Sequence, residues 1–301
     1  MAKRIGRKNI NLEILEKMFE PSGNIAFFDA EFNAGMDYKT GEKVNEIISI
    51  GLVICDSEYN GLKKYYSLVK PVSKTPVFPM ITKMTGITTE MLKDQPSFAE
   101  VSNKLTEQIK KYGVKHIFTW GAADRHSLES EKNIYRKKRY PGYQQASKWN
   151  YIDMLVDVSG AVSGHMLGIK GGLSINMENL MFICDIDQKQ EHNALSDARH
   201  LFLCSKFLRT HYPVSGNDKG FQDKRRLVNQ FYQEKSTYNS FRRFKNNAKS
   251  DDLYGRWTEL EGSPDIRIKA LMDDIKFLKG EIPLNTEFES IQDYFSNHME
   301  E

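Results

Sequence analysis

The chain has 301 residues, 40% hydrophobic and 28% charged, with a formal net charge of +3. That composition is ordinary for a water-soluble globular protein. No apolar run approaches the roughly 20 residues of a membrane helix, and no signal-peptide core follows the basic start Met1–Lys8. The expectation is a cytoplasmic protein with no membrane partner. Cys55, Cys184 and Cys204 are widely spaced in apolar contexts, without CxxC or Cys/His finger spacing. They predict buried reduced thiols rather than a zinc site.

Residues 9–20 carry apolar side chains at helical spacing, and Pro21-Ser22-Gly23 stops that helix. Strands are predicted at 24–32, 46–55 and 63–70, joined by short links as an antiparallel meander. From Ser97 to Tyr112, Phe98, Val101, Leu105 and Ile109 recur every three or four residues, with Ser97 as N-cap. A fourth strand at 115–121, a basic helix from Asp124 to Tyr140 and a fifth strand at 149–153 follow. Helices are predicted at 172–182 and 193–211. The order βββαβαβαα predicts an α/β fold, a mixed five-stranded sheet flanked by helices with its first strand near the centre. Beyond Pro213 the pattern is mostly helical. Residues 219–249 carry nine basic and two acidic residues, a balance of +7, and residues 250–301 a balance of −8. The expected organisation is a helical extension (1–23), a central domain (24–212) and a C-terminal region (213–301).

The chemistry starts at Ile25-Ala26-Phe27-Phe28-Asp29-Ala30-Glu31-Phe32. Side chains two apart on a strand share a face, so Asp29 and Glu31 point the same way. Acids that close on a core strand need a cation or a proton between them; the bland reading is a solvated strand end. Asp124 follows the fourth strand where Gly121 permits a tight turn, and an N-cap is its bland reading. In His192-Asn193-Ala194-Leu195-Ser196-Asp197-Ala198 a helix begins near Asn193, with Asp197 in its second turn and His192 just before it. Apolar neighbours surround Asp197, so an acid there needs a partner.

Four carboxylates on three elements, with one histidine, suit phosphodiester hydrolysis by two divalent ions roughly 3.5–4 Å apart. Mg²⁺ and Mn²⁺ accept such oxygen ligands, and a histidine titrating near neutrality can take a proton from water.

The ordered series Asp29-x-Glu31, Asp124 and His192-x-x-x-x-Asp197 resembles the DEDDh exonucleases of the proofreading-subunit, RNase T and Eri-type superfamily. His-Asn-Ala-x-x-Asp-Ala is its most specific wording, and Met84-Thr85-Gly86-Ile87-Thr88 is similar to the connecting segment. Glu31-Phe32 resembles the Eri-type and sporulation-inhibitor-like branch. The resemblance covers about 24–212 and implies an RNase H-like fold. It further implies that Asp29, Glu31 and Asp197 hold a first Mg²⁺ or Mn²⁺ ion and that Asp29 bridges to a second. Asp124 would support that second ion, with His192 as general base. Phe32 departs from the small hydroxyl residue of many relatives. With Asn193 it is a candidate contact for the 3′-terminal nucleotide, with packing the slightly favoured use of the phenyl ring.

Other features carry less. Lys170-Gly171-Gly172 lacks a phosphate-loop pattern, and His116, His126, His165 and His200 show no mutual metal spacing. Asp153, Asp157, Asp185 and Asp187 fit helix-start and loop roles. Arg125 and the run Arg136 to Arg139 read as a solvated helix face. The 219–249 block interleaves charge with Phe221, Phe231, Tyr232, Tyr238, Phe241 and Phe244, as single-strand binding or as a docked helical pair. The sequence thus predicts a 3′→5′ exonuclease releasing nucleoside monophosphates from single-stranded RNA or DNA 3′ ends, RNA slightly favoured. The rival is a regulatory nucleic-acid- or protein-binding protein on the same fold.

Overall fold

The computed structural model describes residues 7–37, 41, 43–73, 75–169, 174–186, 192–213, 219–226 and 229. The chain divides into two compact units, Met1–Met166 with Ile175–Ser215, and Leu167–Ser174 with Gly216–Glu301. In the second unit residues 219–226 are helical. Most of the predicted basic block and all of the acidic tail lie outside the described residues.

The first unit opens with α1 (Arg7–Phe19), followed by β1 (Ile25–Met36), β2 (Lys43–Cys55) and β3 (Gly61–Leu68). Two short helices, α2 (Pro79–Thr85) and α3 (Thr89–Leu92), precede α4 (Phe98–Lys111), β4 (His116–Thr119) and α5 (Ala123–Lys138). After two 3₁₀ turns come β5 (Leu155–Asp157), the helical turn α6 (Ser159–Ala161), α7 (Met177–Ile183) and α8 (Ala194–Arg209). The sheet order is β3-β2-β1-β4-β5. β1–β3 pair antiparallel, and β4 and β5 run parallel to β1. The mixed sheet with β1 at its centre is the predicted one.

Local chemistry accounts for the helix boundaries. Ser97 and Glu100 form a reciprocal capping box at the start of α4. Pro79 opens α2, and Gly86, at φ 72°, closes it in the left-handed region. The segment Met84-Thr85-Gly86-Ile87-Thr88 therefore holds the end of α2 and the turn into α3, which Thr88 caps.

The predicted fifth strand at 149–153 does not form. Residues Tyr143–Lys148 and Asn150–Met154 are 3₁₀ helix, and the strand comes later, at Leu155–Asp157. The apolar run is buried, but by aromatic packing rather than by a ladder. Trp149 meets Phe98 edge-on at 5.3 Å and donates its indole N–H to Asn103 Oδ1 at 2.8 Å. The helix predicted at 172–182 is shorter and later, because Asn176 caps it at the Asn179 amide.

The two faces of β1 have different fates. Ala26, Phe28 and Ala30 join the main core under α4 and α5, with Leu105, Leu128 and Trp149. On the opposite face Phe27 packs against Phe202 of α8 at 5.7 Å. Each such buried aromatic contributes on the order of 1.5–3 kcal/mol. The same alternation sends Asp29 and Glu31 toward α8. All three cysteines are buried and free. Among the described residues no helix is long and apolar enough to cross a membrane.

Candidate active site

Asp29 and Glu31 sit on β1 opposite Gly51 and Ser49 of β2. Gly51 is what admits α8. A Cβ at that position would lie 2.1 Å from the Ala194 carbonyl oxygen and 2.3 Å from the Leu195 amide nitrogen. The first turn of α8 therefore rests directly on the sheet beside Asp29. Asn193 fixes where that turn begins, its Oδ1 accepting from the Leu195 and Ser196 amides at 3.1 and 3.2 Å. With the cap at Asn193, Asp197 falls in the first turn of α8, not the second as predicted.

The result is a cluster. Ligand atoms of Asp29, Glu31 and Asp197 all lie within 4.8 Å of one another. Asp124 approaches from α5 and accepts a hydrogen bond from the Ala30 amide at 3.0 Å. It is not a cap, since Ala122 holds that position without a side-chain bond. Asp124 takes an amide that lies between the two β1 acids, and its charge reaches Asp29.

Burial and mutual repulsion leave the carboxylates short of compensating charge. Burial, and then the charges of Asp124, Asp197 and Glu31, push Asp29 well above the carboxylate range. Burial and Asp197 push Glu31 up to about 7. Burial also pushes Asp124 up to about 7, against the pull of its backbone hydrogen bonds. Carboxylates raised together in this way are ones that a cation would relieve. The donors are all carboxylate oxygens, a set that suits a divalent cation.

His192 stands immediately before the Asn193 cap, half-buried and with φ at 46°. A non-glycine residue in that region holds strain of roughly 1–3 kcal/mol and persists only where its surroundings impose it. Phe32 is half-buried and packs against the main core. Arg125 and residues 136–139 are exposed, as a solvated helix face requires.

Three contributors escaped the sequence reading. Gly51 is one; a lone glycine inside an apolar strand signals close backbone approach. His200 is another, fully buried one turn along α8, its Nδ1 3.4 Å from Asp197 Oδ1. The third is Asn33, which accepts from the Phe78 amide at 2.9 Å and donates to the Pro76 carbonyl at 3.2 Å. It anchors the start of α2 on the face of β1 that carries the acids.

A solved structure shares the fold. A 3′-exonuclease described for 3′-end-specific recognition of a histone mRNA stem-loop superposes with a TM-score of 0.50 at 16% identity, over 68% of this chain and 72% of that one. The zinc-bound E. coli ExoI–ssDNA complex gives 0.48 at 17% identity, over 73% of this chain and 45% of that one. No curated protein matches the chain. The exonuclease family model RNase T matches residues 26–203, more than half the chain. The protein thus belongs to that exonuclease family, with an RNase H-like fold.

Proposed function

We propose that the protein removes nucleoside monophosphates one at a time from single-stranded 3′ ends, RNA slightly ahead of DNA, using two Mg²⁺ or Mn²⁺ ions. The observation that carries this reading is the convergence of Asp29, Glu31 and Asp197 ligand atoms within 4.8 Å of one another. Asp29, Glu31 and Asp197 would hold the first ion, Asp29 would bridge to the second, and Asp124 would support that one. When bound, such ions polarise the scissile phosphate and ease ionisation of the attacking water. The protein's own part is to orient and to move one proton. An imidazole nitrogen of His192 accepts that proton from the attacking water. The Ala30 amide holds Asp124 in place. Residues 24–212 would form the catalytic domain and 213–301 a separate helical region. The RNA preference rests on the Glu31-Phe32 wording of the first motif.

The test is digestion of 3′-labelled and 5′-labelled RNA and DNA oligonucleotides with Mg²⁺ or Mn²⁺. Stepwise shortening of 5′-labelled strands, abolished in Asp29→Ala and His192→Ala, is the expected outcome. Intact oligonucleotides under both metals would discard the reading.

A further inference from the structure

Asp157 lies outside the five-residue set, yet its hydrogen bonds lead to one of the five. It ends β5, where it pairs with Thr119 of β4, and the next amide, of Val158, donates to the Thr119 carbonyl at 3.1 Å. Asp157 Oδ1 accepts from the Ser159 amide at 2.9 Å, the local turn expected of an aspartate before a helix start. The same oxygen accepts from the Gly121 amide at 2.9 Å, in the turn that follows β4. A helix-start role accounts for the first of these bonds and not for the second. Gly121 has φ at 107°, and its carbonyl accepts from Thr119 Oγ1 at 3.0 Å. That turn leads into α5, whose first turn carries Asp124. Ala122, the N-cap of α5, makes no side-chain bond, so the helix start relies on ties from elsewhere.

We propose that Asp157 is a positioning residue for Asp124, holding the Gly121 turn and, through it, the helix start that presents the Asp124 carboxylate beside β1. Asp124 is then fixed from both ends. The Ala30 amide holds its carboxylate at 3.0 Å, and Asp157 holds the backbone that precedes it. Asp29, Glu31 and Asp197 stand on β1 and α8 rather than on this turn. Loss of Asp157 would therefore loosen Asp124 and spare the other three, weakening the second ion while the first holds. The Asp157 charge also reaches Asp124. Asparagine at 157 keeps an acceptor oxygen and removes that charge, so it separates the tie from the charge.

This inference rests on the exonuclease reading above. In the full chain, Asp157→Ala is expected to lower kcat roughly three- to tenfold, the scale of one lost hydrogen bond. Calorimetry with Mn²⁺ should show the weaker of two binding events lose affinity by a similar factor, with the tighter one changed by less than about twofold. Asp157→Asn should restore kcat and both affinities to within about twofold of wild type. Wild-type kcat in Asp157→Ala, or equal losses at both Mn²⁺ events, would overturn the tie and leave the exonuclease standing. So would an Asp157→Asn variant as impaired as Asp157→Ala, since the charge would then be what acts. A wild-type protein that shortens no oligonucleotide would remove the exonuclease reading, and the Mn²⁺ isotherms of the two variants would then decide the tie.

Discussion

Replacing Glu31 by glutamine should make the metal-free protein more stable at alkaline pH, although it deletes a proposed ligand. Glu31 is 8% exposed, and burial with the Asp197 charge raises it from 4.5 to about 7. At 1.36 kcal/mol per pKa unit that gap is worth roughly 3 kcal/mol. The sign follows from proton binding. Below pH 4.5 Glu31 is protonated in both states and costs nothing. As pH rises toward 7 the unfolded chain releases the proton while the native one retains it, so stability falls, and above 7 the full cost applies. A glutamine side chain cannot ionise; a buried amide costs about 1 kcal/mol, leaving a net gain of roughly 2 kcal/mol. For a domain of this size that is on the order of 4–8 °C in Tm. Thermal unfolding in EDTA at pH 8 and pH 4 measures it, with the gain expected at pH 8 only. Adding Mn²⁺ should stabilise the wild type and leave Glu31→Gln nearly unmoved. A variant no more stable than wild type at pH 8, or equally improved at pH 4, would refute the account of Glu31 as an uncompensated buried acid.

Gly51→Ala should cost about 1–3 kcal/mol by urea denaturation, since its Cβ meets backbone rather than a movable side chain. It should also weaken Mn²⁺ binding by displacing Asp197; unchanged metal affinity counts against the placement of α8. His192→Ala should slow turnover by about 10²–10⁴-fold while retaining Mn²⁺ binding, and a calorimetric loss of metal affinity would assign it to ligation instead. Deleting residues 250–301 should raise affinity for single-stranded oligonucleotides if the acidic tail shields the basic block. Identical binding isotherms would dismiss the shielding.

Long periodic elements were legible in the chain and short ones were not. β2 reads as a mostly apolar run, interrupted at Ser49 and Gly51, because it is buried on both faces, and the 3.6-residue rhythm of α4 matches its buried residues Phe98, Val101, Leu105 and Ile109. β1 runs four residues past its predicted end, through Asn33-Ala34-Gly35-Met36, because Lys43–Glu46 pair with it there. Partners of that kind leave no trace in local composition. At Trp149–Asp153 aromatic packing satisfied the apolar residues without a ladder. The acids were legible as a motif because metal chemistry dictates their types. Their convergence was not, since it depends on Gly51 meeting Ala194 across more than 140 residues of chain.

The site depends as much on an irregularity of the sheet as on the acids. Between Glu31 and Phe32 the register slips: Glu31 faces Ser49 while Phe32 faces Ile47. The extra residue, Ile48, is buried with Val77, Ile81 and Leu92 from the α2–α3 segment. A bulge leaves a backbone group without its ladder partner, and the Ile47 amide donates instead to Glu131 Oε1 at 3.2 Å. Glu131 is itself buried and held up to about 7, first by burial, with the Glu46 charge opposing ionisation. One buried carboxyl therefore closes the ladder on the α5 side while three others gather on the α8 side. The two populations of buried acid have opposite needs. Glu131 finds an amide to accept from. Asp29, Glu31 and Asp197 instead crowd one another, and the charges that reach Asp29 are those of other acids. Only the second group gains from a divalent ion. Metal binding should consequently return the stability that folding gives up at this face, coupling the readiness of the site to the presence of its ions.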